Sequence, residues 1–346
     1  MTYYKVLLGD RSRHGEKHTW SLPTADEPGS WQTCEQGFSL TREPAEWYVP
    51  GCKVYLAECR DTDFRECRLV RPLTNAELAD LRIYVNGEHR LNDGEGVATG
   101  SAKVEVGGNA KVRAYGSAKV TADGNAEVRA YDFAKVTTTD NAEVTAYGSA
   151  VVTAYGSVKV TANGSVKVTA TDSAKVIAYD YAEVTADGSA EVTAYDSARV
   201  TAYDSARVAA TDSVMVKSHD SAKVMATGSA RVTAYDSAMV MAIDSVIVEA
   251  TDSVMVTAYD SVIVTATGFA KVTATGSTKV MSYDSATVTA TDSAKVRATG
   301  SAKVTATGST TVTAYDSATV TATSSAKVKA YDSAKVEDYN SVKSES

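Results

Sequence analysis

From Ser101 onward, small apolar residues alternate with polar ones, and a two-residue punctuation recurs at every eighth position. With the octad lettered a to h from Ser101, position d is Val in all thirty units, from Val104 to Val336. Position b is Ala in 22 units, Val in six and Thr in two (Thr278 and Thr310), and position f is Ala in 25. Positions c, e and g are polar or large. Alternation of this kind marks a strand with one buried face, and β-branched Val and Thr suit a pleated strand better than a helix. Positions h and a, most often Asp-Ser or Gly-Ser, supply a turn. Asp and Ser side chains bond nearby backbone, and Gly permits positive φ. One octad is therefore a short strand and a corner.

Such a unit cannot stand alone. Ordering each residue costs about 1–2 kcal/mol of backbone entropy, whereas a buried Val returns about 1.5–3 kcal/mol. Stacked neighbours must supply the missing hydrogen bonds and the second wall of the core. The register never varies, as expected where a one-residue slip would turn the Ala-Val-Ala face outward.

Two coil sizes compete. Asn109, Asn125 and Asn141 recur every 16 residues, as do Tyr115, Tyr131 and Tyr147. Tyr131, Tyr155, Tyr179 and Tyr203 recur every 24, as do Tyr235, Tyr259 and Tyr283. Packing favours the shorter period. A triangle with an octad on each side encloses more space than Val and Ala fill at native density, whereas two sheets about 10 Å apart suit such side chains. The expectation is a mainly β protein, a parallel β-solenoid over 101–340 with two octads per coil. It would form a rod on the order of 70 Å long.

The first hundred residues are written differently. All three Trp, all four Cys, all five Pro and three of the four His lie there. Residues 1–96 read as a small α+β domain that caps or anchors the solenoid, and 341–346 as a polar tail. Tyr3–Leu8, Lys53–Glu58 and Arg68–Val70 are strand candidates. Thr74-Asn-Ala-Glu77 has capping-box spacing and predicts a helix running to about Tyr84. Cys34, Cys52, Cys59 and Cys67 form no C-x-x-C pair, so buried thiols are expected in a reducing compartment, with a zinc site aided by His14 or His18 as the alternative and disulfides if the chain is exported. At the other end, Glu337, Asp338 and Asn340 read as a polar stop, with Asp338 at an inward f position.

Charge narrows the function classes. The net −8 divides evenly, with 16 acids and 12 bases in residues 1–100 and 27 acids and 23 bases beyond. Neither part carries the basic patch of a direct nucleic-acid binder. No run reaches the length of a membrane span and the start lacks a secretory pattern, so a cytoplasmic protein is expected. Catalysis needs unlike groups converging in a pocket, whereas a solenoid disperses near-identical groups in rows. No catalytic, cofactor-binding or metal residues are therefore assigned. His219, the one His in the array, reads as drift, and His14, Lys17 and His18 as an exposed loop. Position h, Asp or Gly in almost every octad, reads as local Asx-turn chemistry.

The rows are the candidate chemistry. Position c, including Lys103, Lys111, Lys119, Arg199 and Lys303, gives a basic row that discourages aggregation. Tyr131, Tyr155, Tyr179, Tyr203, Tyr235, Tyr259 and Tyr283 are the candidate interface for a protein partner or a second copy, since exposed aromatics favour interfaces. Thr265 with Thr267, Thr273 with Thr275, Thr289 with Thr291 and Thr305 with Thr307 form a candidate Thr-x-Thr face able to order water.

Tyr115-Gly-Ser117, Tyr147-Gly-Ser149 and Tyr155-Gly-Ser157, set in octads, resemble the repeats of bacterial ice-nucleation proteins. That resemblance implies a 16-residue β-solenoid with Thr-x-Thr faces and stacked Tyr. This chain differs in carrying Lys or Arg at most c positions and Val at every d. The repeat is also similar to uncharacterised Ala-x-Val repeat proteins of bacteria and their phages. Cys34-Glu-Gln-Gly-Phe38 followed by Trp47 resembles a small domain placed before such repeats, in which a His commonly follows the Phe; Ser39 stands there instead. The resulting expectation is a non-enzymatic structural or binding scaffold that self-associates or binds a protein through its side. An ice-binding or ice-nucleating surface is the first alternative and a DNA-mimicking inhibitor the second.

Overall fold

The computed structural model describes residues 2–12 and 18–339. The chain divides into two compact units, residues 1–152 and 153–346. His14, Lys17 and Asn340 lie outside the described residues.

The first unit opens with an antiparallel sheet. Its strands are β1 (Tyr3–Leu8), β2 (Arg11–Ser12), β3 (Gln32–Thr33), β4 (Cys52–Cys59) and β5 (Glu66–Pro72), in the order β2-β1-β4-β5-β3. Helix α1 (Pro44–Trp47) and helix α2 (Asn75–Asp80) complete it. The expected capping box is present: the Thr74 hydroxyl accepts from the Glu77 N–H, and the Glu77 carboxylate accepts from the Thr74 N–H at 2.9 Å. The helix ends well before Tyr84. Arg82 adopts a left-handed φ of 61°, which releases Ile83 and Tyr84 into a parallel strand beside Val97 and Ala98. Ile83 is fully buried there, and burying it outweighs one further turn of a short helix.

One side of the antiparallel sheet buries Leu7, Trp20, Phe38, Tyr55 and Leu69. The other buries Val6, Val54 and Tyr48 together with Ile83 and Val97 of the first coil, with Tyr115 packed against them. Arg113 of the repeat donates to the Ala45 carbonyl of α1. The parallel stack thus already includes Ile83–Tyr84, Glu88–Leu91 and Glu95–Ala98, ahead of the first octad.

Within each unit the octads form two parallel sheets with a sixteen-residue coil. Lys111 pairs with Glu127 and Lys119 with Lys135 in the first unit, and Lys271 with Thr287 in the second. The 24-residue recurrence of Tyr is therefore not the coil. In each unit, counting octads from Ser101, even-numbered ones build one sheet and odd-numbered ones the other. Positions b, d and f point inward, and their Ala and Val side chains are almost entirely buried as far as Val328, whereas Ala330, Ala334 and Val336 are partly exposed. Thr278 and Thr310 at inward b positions donate to the carbonyls of Thr275 and Thr307, so these buried hydroxyls are satisfied locally.

The corner is where the structure departs from the sequence reading. Many turns are closed by the b N–H donating to the preceding g carbonyl, as from Ala134 to Tyr131 at 3.1 Å. Every h residue from Gly108 to Asp332 is left-handed, and the Asp residues have φ between 52° and 70°. Asp tolerates this region better than most side chains. Its carboxylate, however, mainly serves another turn, although Thr139 and Thr171 donate to Asp140 and Asp172 beside them. In most octads with Asp at h it accepts from the N–H of the h residue one coil earlier, as Asp132 does from Gly116 at 3.2 Å, Asp180 from Gly164 at 3.0 Å and Asp316 from Gly300 at 3.0 Å. Asp is thus selected twice, for backbone conformation and for joining successive coils.

A second correction concerns the cysteines. Cys59 and Cys67 are register partners in β4 and β5 and form a disulfide. Adjacent antiparallel partners bring two Cα atoms close enough for this bond, a proximity that the linear spacing did not reveal. Cys34 and Cys52 are free thiols.

Candidate functional site: outward rows on the two sheets

A parallel stack in strict register turns every outward position into a row with one member per coil, about 4.8 Å apart. The candidate tyrosines separate under this geometry. Tyr131, Tyr179 and Tyr259 follow even-octad strands, whereas Tyr155, Tyr203, Tyr235 and Tyr283 follow odd-octad strands. Rings stack where Tyr recurs every coil: Tyr115–Tyr131 at 4.7 Å, Tyr131–Tyr147 at 5.2 Å and Tyr179–Tyr195 at 5.2 Å. Tyr203 and Tyr235 stack on either side of His219, at 5.0 and 4.8 Å. His219 is therefore an aromatic member of the row, with Nδ1 3.9 Å from the Asp236 carboxylate. Tyr259 and Tyr283 have Thr or Ile as row neighbours, so no ring stack includes them.

The threonines gather more tightly than their spacing suggested. Thr273, Thr289 and Thr305 are register partners on the even-octad sheet, and Thr275, Thr291 and Thr307 follow them at position g. Thr257 and Thr321 extend the e row at its two ends, and Thr323 extends the g row.

The pair Thr265 and Thr267 does not belong to this face, contrary to the sequence expectation. Thr265 lies on the odd-octad sheet, beside Glu249 and Met281. Thr267 follows it at position g of the same octad and is half-exposed, as Thr275, Thr291 and Thr307 are. The Thr267 hydroxyl donates to the Ala250 carbonyl of the preceding coil at 3.4 Å. Its proton is therefore used within the solenoid. The physical reason is the alternation of sheets: 265 and 273 are eight residues apart, half a coil. Three of the four expected pairs thus share a face, and Thr321 with Thr323 is the fourth member that sequence reading passed over.

Position c is not a uniform basic row. Glu183 bridges Lys167 and Arg199 at 3.4 and 3.9 Å, and Glu191 bridges Lys175 and Arg207 at 3.3 and 3.8 Å. Lys111 and Glu127 pair at 3.0 Å. These exposed pairs are worth at most about 1 kcal/mol each. Their main effect is to relieve like-charge repulsion along a row.

Sequence reading missed the methionines. Six of the seven lie between Met215 and Met281, all at outward c or e positions. Met225, Met241 and Met255 are each 40 % or more exposed. On the even-octad sheet Met225 and Met241 are register partners, as are Met239 and Met255. The signal was present in the sequence: c changes from Lys or Arg to Met239, Ile247, Met255 and Ile263 within four consecutive octads.

In the antiparallel sheet, Lys5 is fully buried, donates to the Ser39 carbonyl at 2.7 Å and lies 5.3 Å from the Trp20 ring centroid. The bond to residue 39 uses its backbone, so it does not require the His of the resembling domain. His18 packs edge-on against Phe38 at 5.0 Å, part of an aromatic cluster and not an exposed loop. Trp31 lies beneath the guanidinium groups of Arg60 and Arg68, at 4.0 and 4.7 Å. Among the described residues no cluster of three metal-ligating side chains occurs, and no helix is long and apolar enough to cross a membrane. The Asp338 side chain lies outside the description. Comparisons with protein-family models, curated proteins and solved structures found no match to this chain.

Proposed function

We propose that the protein is a non-enzymatic scaffold whose solenoid sheets present periodic side-chain rows to a protein partner or to further copies of itself. The observation that carries this reading is the strict sixteen-residue register, which repeats each outward group at fixed intervals. Repetition suits multivalent contact with a flat or periodic surface, where several weak contacts act together. It does not suit chemistry, which needs different groups aimed at one reacting atom. The interleaving of Lys, Arg and Glu at c gives these rows no unbroken acidic face, so a DNA mimic gains no support. The test is electron microscopy with sedimentation of the full chain over a concentration series. Side-by-side association that grows with concentration is expected; particles that stay single throughout would remove self-association from this reading.

The threonine array favours a second reading, an ice-binding surface. Thr273 to Thr323 form two rows over four coils, about 6.6 Å apart along the strand and about 4.8 Å between strands. Purified protein would then show thermal hysteresis that Thr289→Lys with Thr305→Lys abolishes. Absence of hysteresis in the unaltered chain ends this reading.

A further inference from the structure

We propose that the methionine patch on the even-octad sheet is a homodimer interface in which two copies meet face to face with their solenoid axes antiparallel. This inference rests on the scaffold reading and names its partner. The patch runs from Arg207 and Ala209, through Lys223 and Met225, then Met239 and Met241, to Met255 and Thr257. It lines a shallow depression of about 620 Å³. Elsewhere on this sheet in the second unit these positions hold Lys, Glu or Thr, with Ile177 the one apolar exception, so water-compatible residues fit the fold there. The apolar choice is local. Methionine is unbranched and polarizable, and it adapts to an opposing surface of the same kind.

Charge identifies the occupant. A two-fold axis along the strand direction, midway between the strands Lys223–Ala226 and Met239–Ala242, keeps c opposite c and e opposite e. It sets Met225 against Met241 of the second copy. The aliphatic stems of Lys223 and Arg207 cover Met239 and Met255 of that copy, an arrangement that leaves their charged ends free to reach water. Glu191 and Lys271 lie about 12 Å on either side of the axis, counted in strand spacings, so each Glu191 meets a Lys271. Lys271 has Met255 and Thr287 as its row neighbours, and no carboxylate flanks it in its own row. The face is therefore apolar at its centre and complementary to itself at its edges, as an isologous interface requires.

Sedimentation equilibrium of the full chain tests this. The unaltered protein is expected to dimerise, and Met225→Lys with Met241→Lys to weaken the dimer at least ~10-fold. Lys already stands at e in Lys217 and Lys329, so these variants preserve the fold. Glu191→Lys alone should weaken the dimer, and adding Lys271→Glu should restore it, because only the antiparallel arrangement joins those two positions. A dimer that survives both methionine substitutions would overturn the interface while leaving the scaffold reading intact. An unaltered chain that never pairs would overturn self-association altogether. Failure of the charge swap to restore pairing would overturn the antiparallel geometry.

Discussion

The antiparallel sheet of residues 3–72 and the coils of residues 153–339 reach stability by opposite routes. The sheet depends on contacts that each occur once: a disulfide, a buried lysine, a tryptophan under two arginines. The coils depend on one contact set repeated at every step. In the sheet, losing one residue removes something that no neighbour replaces. In the coils, a lost contact leaves the same contact intact one coil away. The sheet is therefore specific and brittle, the coils uniform and tolerant.

This contrast can be probed region by region, because all three tryptophans lie at or before residue 47. Tryptophan fluorescence reports the sheet, whereas far-ultraviolet circular dichroism is dominated by the coils. The largest effect is expected for Leu69→Ala, at about 2–5 kcal/mol, seen in the fluorescence transition. A shift confined to the dichroism transition would contradict it. Reducing the Cys59–Cys67 bond should cost the sheet about 2–3 kcal/mol by the loop-entropy argument, again with little change in the dichroism transition. Next comes the corner. Asp220→Ala forces a β-carbon without a bonding side chain into the left-handed region and is expected to cost about 1–2 kcal/mol. Asp220→Gly should cost less, and equal losses would mean that backbone conformation is not what selects the residue.

The smallest effects are those of pH, and their signs differ. Hydrogen bonding from Arg71, with further bonds from Thr74, holds Glu77 down to about 2. A depressed carboxylate stabilises above its unfolded value, and that contribution disappears as pH falls from about 4 towards 2. Asp204 is raised instead, first by a hydrogen bond with Asp187 and then by that group's charge. A raised carboxylate favours the folded state at low pH, and the benefit is lost as pH rises through its folded value. Acid should therefore loosen the start of α2 while tightening the Asp187/Asp204 corner, an opposition that residue-resolved NMR titration would detect.

The repeat was legible in the sequence because Val at every d and Ala at most b and f positions leave a single register. The coil size was legible only through packing, since Tyr recurs at both 16 and 24 residues. The rows were partly legible. Thr273, Thr289 and Thr305 fell together, but Thr265 and Thr267 landed on the opposite sheet because octads alternate faces. The bond from Thr267 to the Ala250 carbonyl was equally hidden, since it crosses between coils. The role of Asp at h was not legible, because its bond also goes to a residue distant in sequence. The Cys59–Cys67 bond was hidden for a similar reason: it depends on strand pairing, and nothing in an eight-residue spacing announces that.

The alternation of octads between two sheets also constrains how the gene can change length. Recombination that adds or removes two octads restores every downstream side chain to its own sheet. An event involving one octad sends all of them to the opposite sheet, exchanging the surfaces that carry Thr289 and Thr265. Copy number can therefore drift in pairs without disturbing the pattern, whereas an odd step would invert it from that point onward.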